Sequence, residues 1–398
     1  MEFQHLPPEM RAKVYNLCEG QDLKNVALCS KQYSKDVRPI LWNTLAVDWV
    51  KLINRTPDEK HVQRVTAANF STQLNHRHQQ CLKRSLSVGE NFSTLLASFS
   101  VPQLKLVKFS RFLVEDGLQL LSQRCPNIFS LTLYQVQGRM CWDHIYRFNN
   151  LRELGIAYCS HVKDEHLRCM ADMKTLQILV LASCKRLTGQ TLKILAPISS
   201  LLKLSFTNFH WLNQREYDYE HSIPQIKSLQ ELYLDCTTVD DRFCESAQHL
   251  VALKTISLIW TDVTDAGLAS LARIKSLRRI NLSECTITDC GIRSISSLPL
   301  VRLSLRRCSI TDDALALIGG MNSLYFLDIS YCFCVTDAGV AELRRLTSLR
   351  CLMVAYCNIT DQCVDSILEI PSLKELDISG TCLSDDRLYM LSDRLLLL

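Results

Sequence analysis

The feature that most restricts how this 398-residue chain can fold is a sequence unit that recurs at intervals of about 24 residues. Each copy opens with an apolar residue, places further apolar residues three and five positions later, and reaches a Thr-Asp or Ser-Asp pair after about a dozen residues. The six clearest copies open at Leu253, Leu277, Leu300, Leu324, Leu349 and Leu373. Because one such unit cannot bury its own apolar face, it must stack on its neighbours, and the sequence predicts a solenoid.

Earlier parts of the chain carry the same spacing in less regular form. Six further copies open at Leu104, Ile128, Leu151, Leu176, Leu201 and Leu229. The alternating first half of a copy predicts a strand that points Leu154 and Ile156 inward, and the second half predicts a helix. Parallel strands lie about 4.8 Å apart whereas helices need about 10 Å, so we expect a curved parallel sheet with the strands inside.

Cysteine follows the predicted strand in many copies, and this pattern resembles the cysteine-containing leucine-rich repeat. The resemblance implies an α/β fold, a right-handed leucine-rich-repeat solenoid with the sheet inside and the helices outside. The repeated thiols should form a buried, inert ladder, since apolar surroundings raise a thiol pKa. They are Cys159, Cys184, Cys285, Cys308, Cys332 and Cys357. The 19 cysteines lack the paired CxxC spacing of a zinc site, so we predict no metal and no cofactor.

Thr-Asp pairs stand before the predicted helices at positions 264–265, 288–289, 311–312, 336–337 and 360–361. Their side-chain oxygens are suited to accept the unpaired N–H groups at a helix start, so we interpret the repeated carboxylates as caps. A catalytic pair would need two carboxylates in one site, and these lie about one repeat apart. Neither a Ser-His-Asp, a Cys-His nor a phosphate-loop pattern is present, so we predict no catalytic residue and no enzyme activity.

Composition narrows the classes of partner. Charged residues make up 22% of the chain and the formal net charge is +4, which does not favour general binding to phosphate backbones or a nucleic-acid partner. The first residues, MEFQHLPPEMRAK, lack the apolar core of a signal peptide, so we expect a reducing, cytoplasmic and/or nuclear location. A run of about 18 apolar residues is absent, so no membrane span is expected.

Residues 1–45 differ from the repeats and predict three short helices, with Pro7 and Pro8 suited to a first turn. This segment resembles the F-box. The residues at that family's spacing are Leu6, Pro7, Glu9, Met10, Val14, Asp22, Leu23, Val26, Leu28, Tyr33, Leu41 and Trp42. The resemblance implies docking onto the Skp adaptor of a cullin-based ubiquitin ligase through Phe3, Leu6, Pro7, Glu9, Met10, Val14 and Leu23. The alternative is that these helices only cap the first repeat.

Three segments interrupt or end the repeats. Residues 46–103 are interpreted as a linker with degenerate first repeats, beginning with a strand in LAVDWV. The copy at Leu201 carries an insertion before Pro224 whose Trp211 either packs on its neighbours or adds to a binding surface. The solenoid proper, residues 104–398, ends in a helix from Asp385 and an apolar tail that we expect to fold back on the last repeat.

The concave face of the sheet is predicted from the second, fourth, sixth and seventh positions after each opening residue. Trp, Tyr and Arg are the residue types enriched at interface hot spots. The candidate substrate-binding residues are Tyr158, Trp260, Arg279, Arg306, Arg307, Tyr331 and Tyr356. Arg306 and Arg307 have the fork geometry to grip a carboxylate or a phosphorylated side chain. The alternative is a row of ordinary solvent-facing residues with Arg-Asp pairing along the sheet.

Together these features lead to one functional hypothesis and two alternatives. The F-box resemblance joined to the repeats implies a substrate-recognition subunit of a Skp-cullin-F-box ubiquitin ligase, with the Skp adaptor, the cullin scaffold and a protein target as partners. One alternative is a leucine-rich-repeat scaffold or receptor outside any ligase. The other is a sensor in which a small molecule fills the concave face beside a peptide.

Overall fold

The computed structural model describes residues 47–48, 106–112, 117–124, 127–137, 142–208 and 225–398. The chain divides into two compact units, Met1–Leu187 and Thr188–Leu398. The predictions for the F-box, for its adaptor-binding residues, for nearly all of residues 46–103 and for the insertion with Trp211 lie outside the described residues.

The first unit contains a parallel sheet whose strands pair in chain order. The strands are β1 (Val47–Asp48), β2 (Leu106–Phe112), β3 (Ser130–Gln137), β4 (Glu153–Ala157) and β5 (Ile178–Ala182). Helical segments connect them: α1 (Gly117–Arg124), a 3₁₀ turn (Trp142–Arg147), α2 (Asp164–Leu167) and a second 3₁₀ turn (Arg168–Asp172). Strand β1 lies within the LAVDWV segment and pairs with β2, which confirms the predicted first strand.

The second unit continues the same alternation of parallel strands and helices. Its strands are β6 (Lys203–Thr207), β7 (Glu231–Tyr233), β8 (Thr255–Ser257), β9 (Arg279–Asn281), β10 (Arg302–Ser304), β11 (Phe326–Asp328), β12 (Cys351–Met353), β13 (Glu375–Asp377) and β14 (Leu396–Leu397). Its helices are α3 (Gln190–Leu195), α4 (Asp241–Ala247), α5 (Asp265–Leu271), α6 (Asp289–Ile295), α7 (Asp312–Ile318), α8 (Asp337–Glu342), α9 (Val364–Leu368) and α10 (Asp385–Ser392). Short 3₁₀ turns lie at Leu343–Arg345 and Asp361–Cys363.

Strands β2 to β13 confirm the twelve predicted copies, because each begins two residues after the opening apolar residue of its copy. The C-terminal prediction is also confirmed. Helix α10 begins at Asp385, and the apolar tail pairs with β13 as strand β14. The tail therefore continues the sheet by one short strand.

The core of each copy is built from the inward residues of its strand. In β4 the burial alternates, with Leu154 and Ile156 at 1% and 0% exposure. In the three-residue strands of the second unit the middle residue is buried: Leu232, Ile256, Ile280, Leu303, Leu327, Leu352 and Leu376. Burying one such side chain contributes about 1.5–3 kcal/mol, so the regular apolar spacing supplies the main stabilisation of each unit.

In each Thr-Asp pair the threonine bonds within its own repeat and the aspartate bonds to the next repeat. The threonine caps its own helix, as predicted: Thr264 accepts a hydrogen bond from the N–H of Ala266. The prediction that the carboxylates cap their own helices is wrong, because four of the five accept hydrogen bonds from the threonine of the next copy, and Asp361 accepts from the N–H of Ser384. Asp265 accepts from the backbone N and the Oγ1 of Thr288, at 2.9 and 2.5 Å. The carboxylates therefore tie adjacent repeats together.

Glycines make room for some of these ties. A Cβ on Gly291 would meet Oδ1 of Asp265, and Gly339 stands in the same relation to Asp312. The equivalent residues Ala314 and Cys363 carry a Cβ, and the hydrogen bonds of Asp289 to Thr311 and of Asp337 to Thr360 are kept in those copies. The tie therefore recurs along the second unit with glycine in some copies and a slightly larger residue in others.

The cysteine ladder is buried, as predicted. Its members, Cys159, Cys184, Cys285, Cys308, Cys332 and Cys357, are 0–5% exposed. The thiol of Cys332 donates to the carbonyl of Leu305 in the preceding copy at 3.2 Å, and Cys357 donates to Ile329 at 3.1 Å. Burial raises the pKa of Cys308 to about 12 and that of Cys184 to about 11. These thiols stay protonated and serve as small hydrogen-bonding core residues.

Every helix in the described ranges is too short or too polar to cross a lipid bilayer.

Candidate functional site

A turn in left-handed backbone conformation follows the strand in successive copies, always at the seventh position after the opening residue. The backbone φ is between 50° and 62° at Tyr158, Ser183, Asn208, Cys236, Trp260, Glu284, Arg307, Tyr331 and Tyr356, and 70° at Gly380. This conformation costs roughly 1–2 kcal/mol for a residue with a Cβ. The fold therefore imposes a fixed, strained orientation on one side chain in each of these copies.

Hydrogen bonds to the next copy hold eight of these turns in place. The N–H of the turn residue donates to the carbonyl that immediately precedes the turn residue of the following copy. In the second unit the pairs are Trp260 to Ser283 at 2.9 Å, Glu284 to Arg306 at 2.7 Å, Arg307 to Ser330 at 2.9 Å, Tyr331 to Ala355 at 2.8 Å and Tyr356 to Ser379 at 2.8 Å. These bonds extend the parallel ladder beyond the strands, so the turn side chains form one row.

Side chains in this row contact one another from Glu284 to Tyr356. Arg307 forms an ion pair with Glu284 at 3.4 Å, and its guanidinium lies 4.8 Å from the centre of the Tyr331 ring. The Tyr331 and Tyr356 rings are stacked, with centroids 4.5 Å apart and an interplanar angle of 16°. We call Glu284, Arg306, Arg307, Tyr331 and Tyr356 the arginine–tyrosine stack.

The stack ends against Gly380. A Cβ at this position would lie 2.5 Å from Cε1 of Tyr356, so the ring occupies the space that any side chain would need. The positive φ of Gly380 independently favours glycine. Two constraints thus meet at one residue, and both favour glycine there.

Arg306 joins the stack from the sixth position of its copy. In the neighbouring copies this position holds small buried residues, Ser283, Ser330 and Ala355, at 5%, 1% and 3% exposure. The prediction that sixth positions are open is therefore wrong for these copies, whose small side chains are buried. The longer side chain of Arg306 instead extends over Tyr331, and its guanidinium lies 4.2 Å from the ring centre.

A second row of side chains lies at the start of the strands. Arg279, Arg302 and Phe326 are in register on β9, β10 and β11. The guanidinium of Arg302 lies 4.3 Å from the centre of the Phe326 ring. Arg279 donates to Oγ1 of Thr255 on β8 at 3.5 Å. This row gives the face a second set of cations next to an aromatic ring.

Carboxylates on the same face are engaged by hydrogen-bond donors of the chain. Asp328 accepts from Oγ of Ser304 at 3.2 Å and from the N–H of Ser330 at 3.0 Å. Asp377 accepts from the N–H of Ser379 at 3.0 Å. Burial, with a hydrogen bond from the thiol to Glu375, raises the pKa of Cys351 to about 11.

The structure brings four of the seven predicted target-binding residues into direct contact: Arg306, Arg307, Tyr331 and Tyr356. Arg279 lies on the same face at the start of β9. Trp260 is 61% exposed at an equivalent turn of the second unit, and Tyr158 is 48% exposed at an equivalent turn of the first unit. The alternative interpretation of this face expected Arg-Asp ion pairs along the sheet; the ion pair that forms in this row joins Arg307 to Glu284.

Several contributors lie outside the predicted set. Phe333 is 68% exposed and meets the Tyr331 ring edge-on at 6.3 Å. Arg302 stands at the same repeat position as Arg279, so the spacing alone identifies it. The left-handed turn had a sequence signal too, because Asn208 and Gly380, residue types that favour positive φ, occupy the seventh position.

Comparisons with known proteins agree with this geometry. A family model described as "Leucine Rich repeat" matches residues 274–296. The structure is similar to an internalin (inlF) from Listeria monocytogenes, with 16% identity, coverage of 89% of this chain and 98% of that chain, and a TM-score of 0.52. It is also similar to a chain of the Rad7 and Elc1 complex of yeast, with 18% identity, coverage of 84% and 85%, and a TM-score of 0.52. The comparison with curated protein sequences gives no match.

The spacing, the paired parallel strands and these similarities show that the described part of the chain has a leucine-rich-repeat fold.

Proposed function

We propose that this protein is the substrate-recognition subunit of a Skp-cullin-F-box ubiquitin ligase. Residues 1–45, which resemble the F-box, would bind the Skp adaptor, and the exposed sheet face would bind the protein target. The similar yeast chain was solved in a complex of Rad7 and Elc1, which supports assembly of such a chain with a second protein.

The observation that carries the target-binding half of the proposal is the arginine–tyrosine stack. Tyr and Arg are enriched among residues that dominate binding energy. Tyr331 is fixed between Tyr356 on one side and the guanidiniums of Arg306 and Arg307 on the other. A prearranged surface loses little side-chain entropy when a partner binds, so more of the contact energy appears as affinity.

In this proposal the chain contributes positioning and no bond-forming step. Holding a target beside a ligase raises the local concentration of target lysines near the conjugating enzyme. Specificity then depends on the exposed face, and the rate depends on subunits recruited through residues 1–45. The two activities should be separable by substitution.

Co-purification tests the proposal. We expect the tagged full-length chain to capture the Skp adaptor and the cullin, and the Leu6→Ala/Pro7→Ala variant to lose both. Proximity labelling with and without proteasome inhibition should show target proteins that accumulate under inhibition. A Tyr331→Ala/Tyr356→Ala variant should retain the adaptor and lose those targets.

A matched control uses a tyrosine away from the sheet face. Tyr389 is 73% exposed on α10, so Tyr389→Ala should leave adaptor and targets unchanged. If the wild-type chain captures neither adaptor nor cullin, the ligase assignment is wrong. Targets that bind without accumulating under proteasome inhibition would indicate a scaffold outside any ligase.

A further inference from the structure

The face of the copies that open at Leu277, Leu300 and Leu324 carries unbalanced charge. Its face positions hold four arginines, Arg279, Arg302, Arg306 and Arg307, and two carboxylates, Glu284 and Asp328. Arg307 is paired with Glu284, and Asp328 accepts from a serine hydroxyl and a backbone N–H. In the part of the chain that the structure describes, Arg279, Arg302 and Arg306 have no ion-pair partner.

Two of these arginines oppose each other directly. Arg279 and Arg302 are in register on neighbouring parallel strands, and both are exposed. Like charges at facing positions destabilise a sheet. Rings relieve this only in part, because Arg302 packs on Phe326 and Arg306 on Tyr331, and neither contact neutralises a charge. An anionic partner would neutralise it.

The distribution of charge favours a protein segment over a nucleic acid. A polyanion would bring phosphates past Glu284 and Asp328, which lie among the arginines, and past Glu375 and Asp377 on β13, two strands beyond β11. An acidic peptide can alternate its carboxylates with neutral residues and so avoid these positions. The rings of Phe326 and Tyr331 then contact its neutral side chains.

We propose that the target is recognised through an acidic, unphosphorylated peptide segment whose carboxylates bind Arg279, Arg302 and Arg306. This inference rests on the proposed function, since it takes the partner to be a protein. Arg279 and Arg302 lie on neighbouring strands about 4.8 Å apart, and Arg306 lies four residues beyond Arg302. The three positions therefore span about 13 Å, which corresponds to about four residues of extended chain. A short stretch with alternate Asp or Glu residues is therefore long enough to reach all three arginines.

Fluorescence anisotropy with the full-length chain tests the inference without the adaptor. The probe is a fluorescein-labelled peptide of about ten residues in which Glu alternates with Ser; the comparison peptide has Gln in place of Glu. We expect the Glu peptide to bind about tenfold more tightly, a difference that three exposed charge pairs of ordinary strength supply. Its affinity should fall as salt is raised.

A variant with Arg279→Gln, Arg302→Gln and Arg306→Gln should lose this tenfold preference. Arg273→Gln, Arg293→Gln and Arg344→Gln make the same change in net charge at exposed positions on the helical side, and this matched variant should bind like the wild type. Circular dichroism of both variants shows whether they keep the wild-type fold.

Several results would overturn the inference: equal affinity for the Glu and Gln peptides, an equal loss in both arginine variants, or tighter binding of a phosphoserine peptide or a single-stranded oligonucleotide. Because the assay uses neither adaptor nor cullin, its failure is distinguishable from failure of the ligase assignment. Adaptor capture without preference for the Glu peptide would reject only the acidic segment.

Discussion

Asp312 offers the sharpest test of how the repeats are held together, because it has a natural control beside it. Asp312 is the first residue of α7, and its carboxylate accepts from the backbone N and the Oγ1 of Thr336, at 2.8 and 2.7 Å. Asp313 follows in the same helical turn but is exposed. Both carboxylates favour the positive end of the helix dipole, and only Asp312 reaches the next copy.

The expected loss of stability on removing the Asp312 carboxylate follows from these two hydrogen bonds. A hydrogen bond to a charged group contributes about 1.5–3 kcal/mol, and partial exposure of the pair reduces this to about 1 kcal/mol each. Removing the carboxylate also leaves the N–H of Thr336 without its partner. We expect Asp312→Ala to lower the free energy of unfolding by about 2–3 kcal/mol, and Asp313→Ala by about 0.5 kcal/mol.

Thermal unfolding followed by circular dichroism measures the difference. For a unit of about 200 residues, 1 kcal/mol corresponds to about 2–4 °C, so Tm should fall by about 5–10 °C in Asp312→Ala and by less than about 2 °C in Asp313→Ala. Amide exchange at Thr336 should accelerate only in the first variant. Equal shifts in the two variants would refute the idea that the carboxylate ties repeats, and would leave helix electrostatics as its only role.

Three further predictions concern the stack, the ladder and the C-terminal copy. Gly380→Ala should lower the free energy of unfolding by about 1–2 kcal/mol in chemical denaturation, since φ is 70° and the new Cβ would meet a tyrosine ring at 2.5 Å. The control Gly320→Ala, whose Cβ would lie 3.4 Å from its nearest neighbour, should change that free energy hardly at all. At pH 8 iodoacetamide should label exposed Cys290 and spare Cys308, whose pKa is raised to about 12; mass spectrometry of a labelled Cys308 in folded protein would contradict its burial. The start of the last helix donates hydrogen bonds to Asp361, and these lower the pKa of that carboxyl below its ordinary value of 3.8. The contact is therefore present at neutral pH and is lost as pH falls through the pKa of the folded state. An amide-exchange profile of that helix that is flat from pH 5 to pH 2 would contradict this prediction.

The strands could be predicted from sequence because one rule governs them. Alternation of apolar residues fixes which face of a strand is buried, and the constant interval fixes which strand is its neighbour. That is why β2 to β13 begin where the spacing requires. The tie from Asp265 to Thr288 could not be predicted in the same way, because the sequence shows that both residues recur but not which copies they join.

The site was predictable by residue type and only partly by contact. Exposed Tyr and Arg on a repeat face indicate a binding surface. The left-handed turn decides which of them meet, and no pattern of apolar residues encodes it. Arg306 illustrates the limit: its position is buried in the neighbouring copies, and only the ring of Tyr331 in the next copy gives its guanidinium a place to lie.

The residues at the left-handed turns differ in how much of the backbone cost is offset by contacts within the folded chain. Glycine or asparagine would satisfy the turn at lower cost, as Gly380 and Asn208 do. For Tyr331 the cost of roughly 1–2 kcal/mol is offset by ring stacking and by cation–π contacts, each worth about 0.5–1.5 kcal/mol. Trp260 has the same backbone conformation and remains 61% exposed, without a ring contact among the described residues. Its indole gains least from the folded chain, so it has the most apolar surface left to bury against a partner.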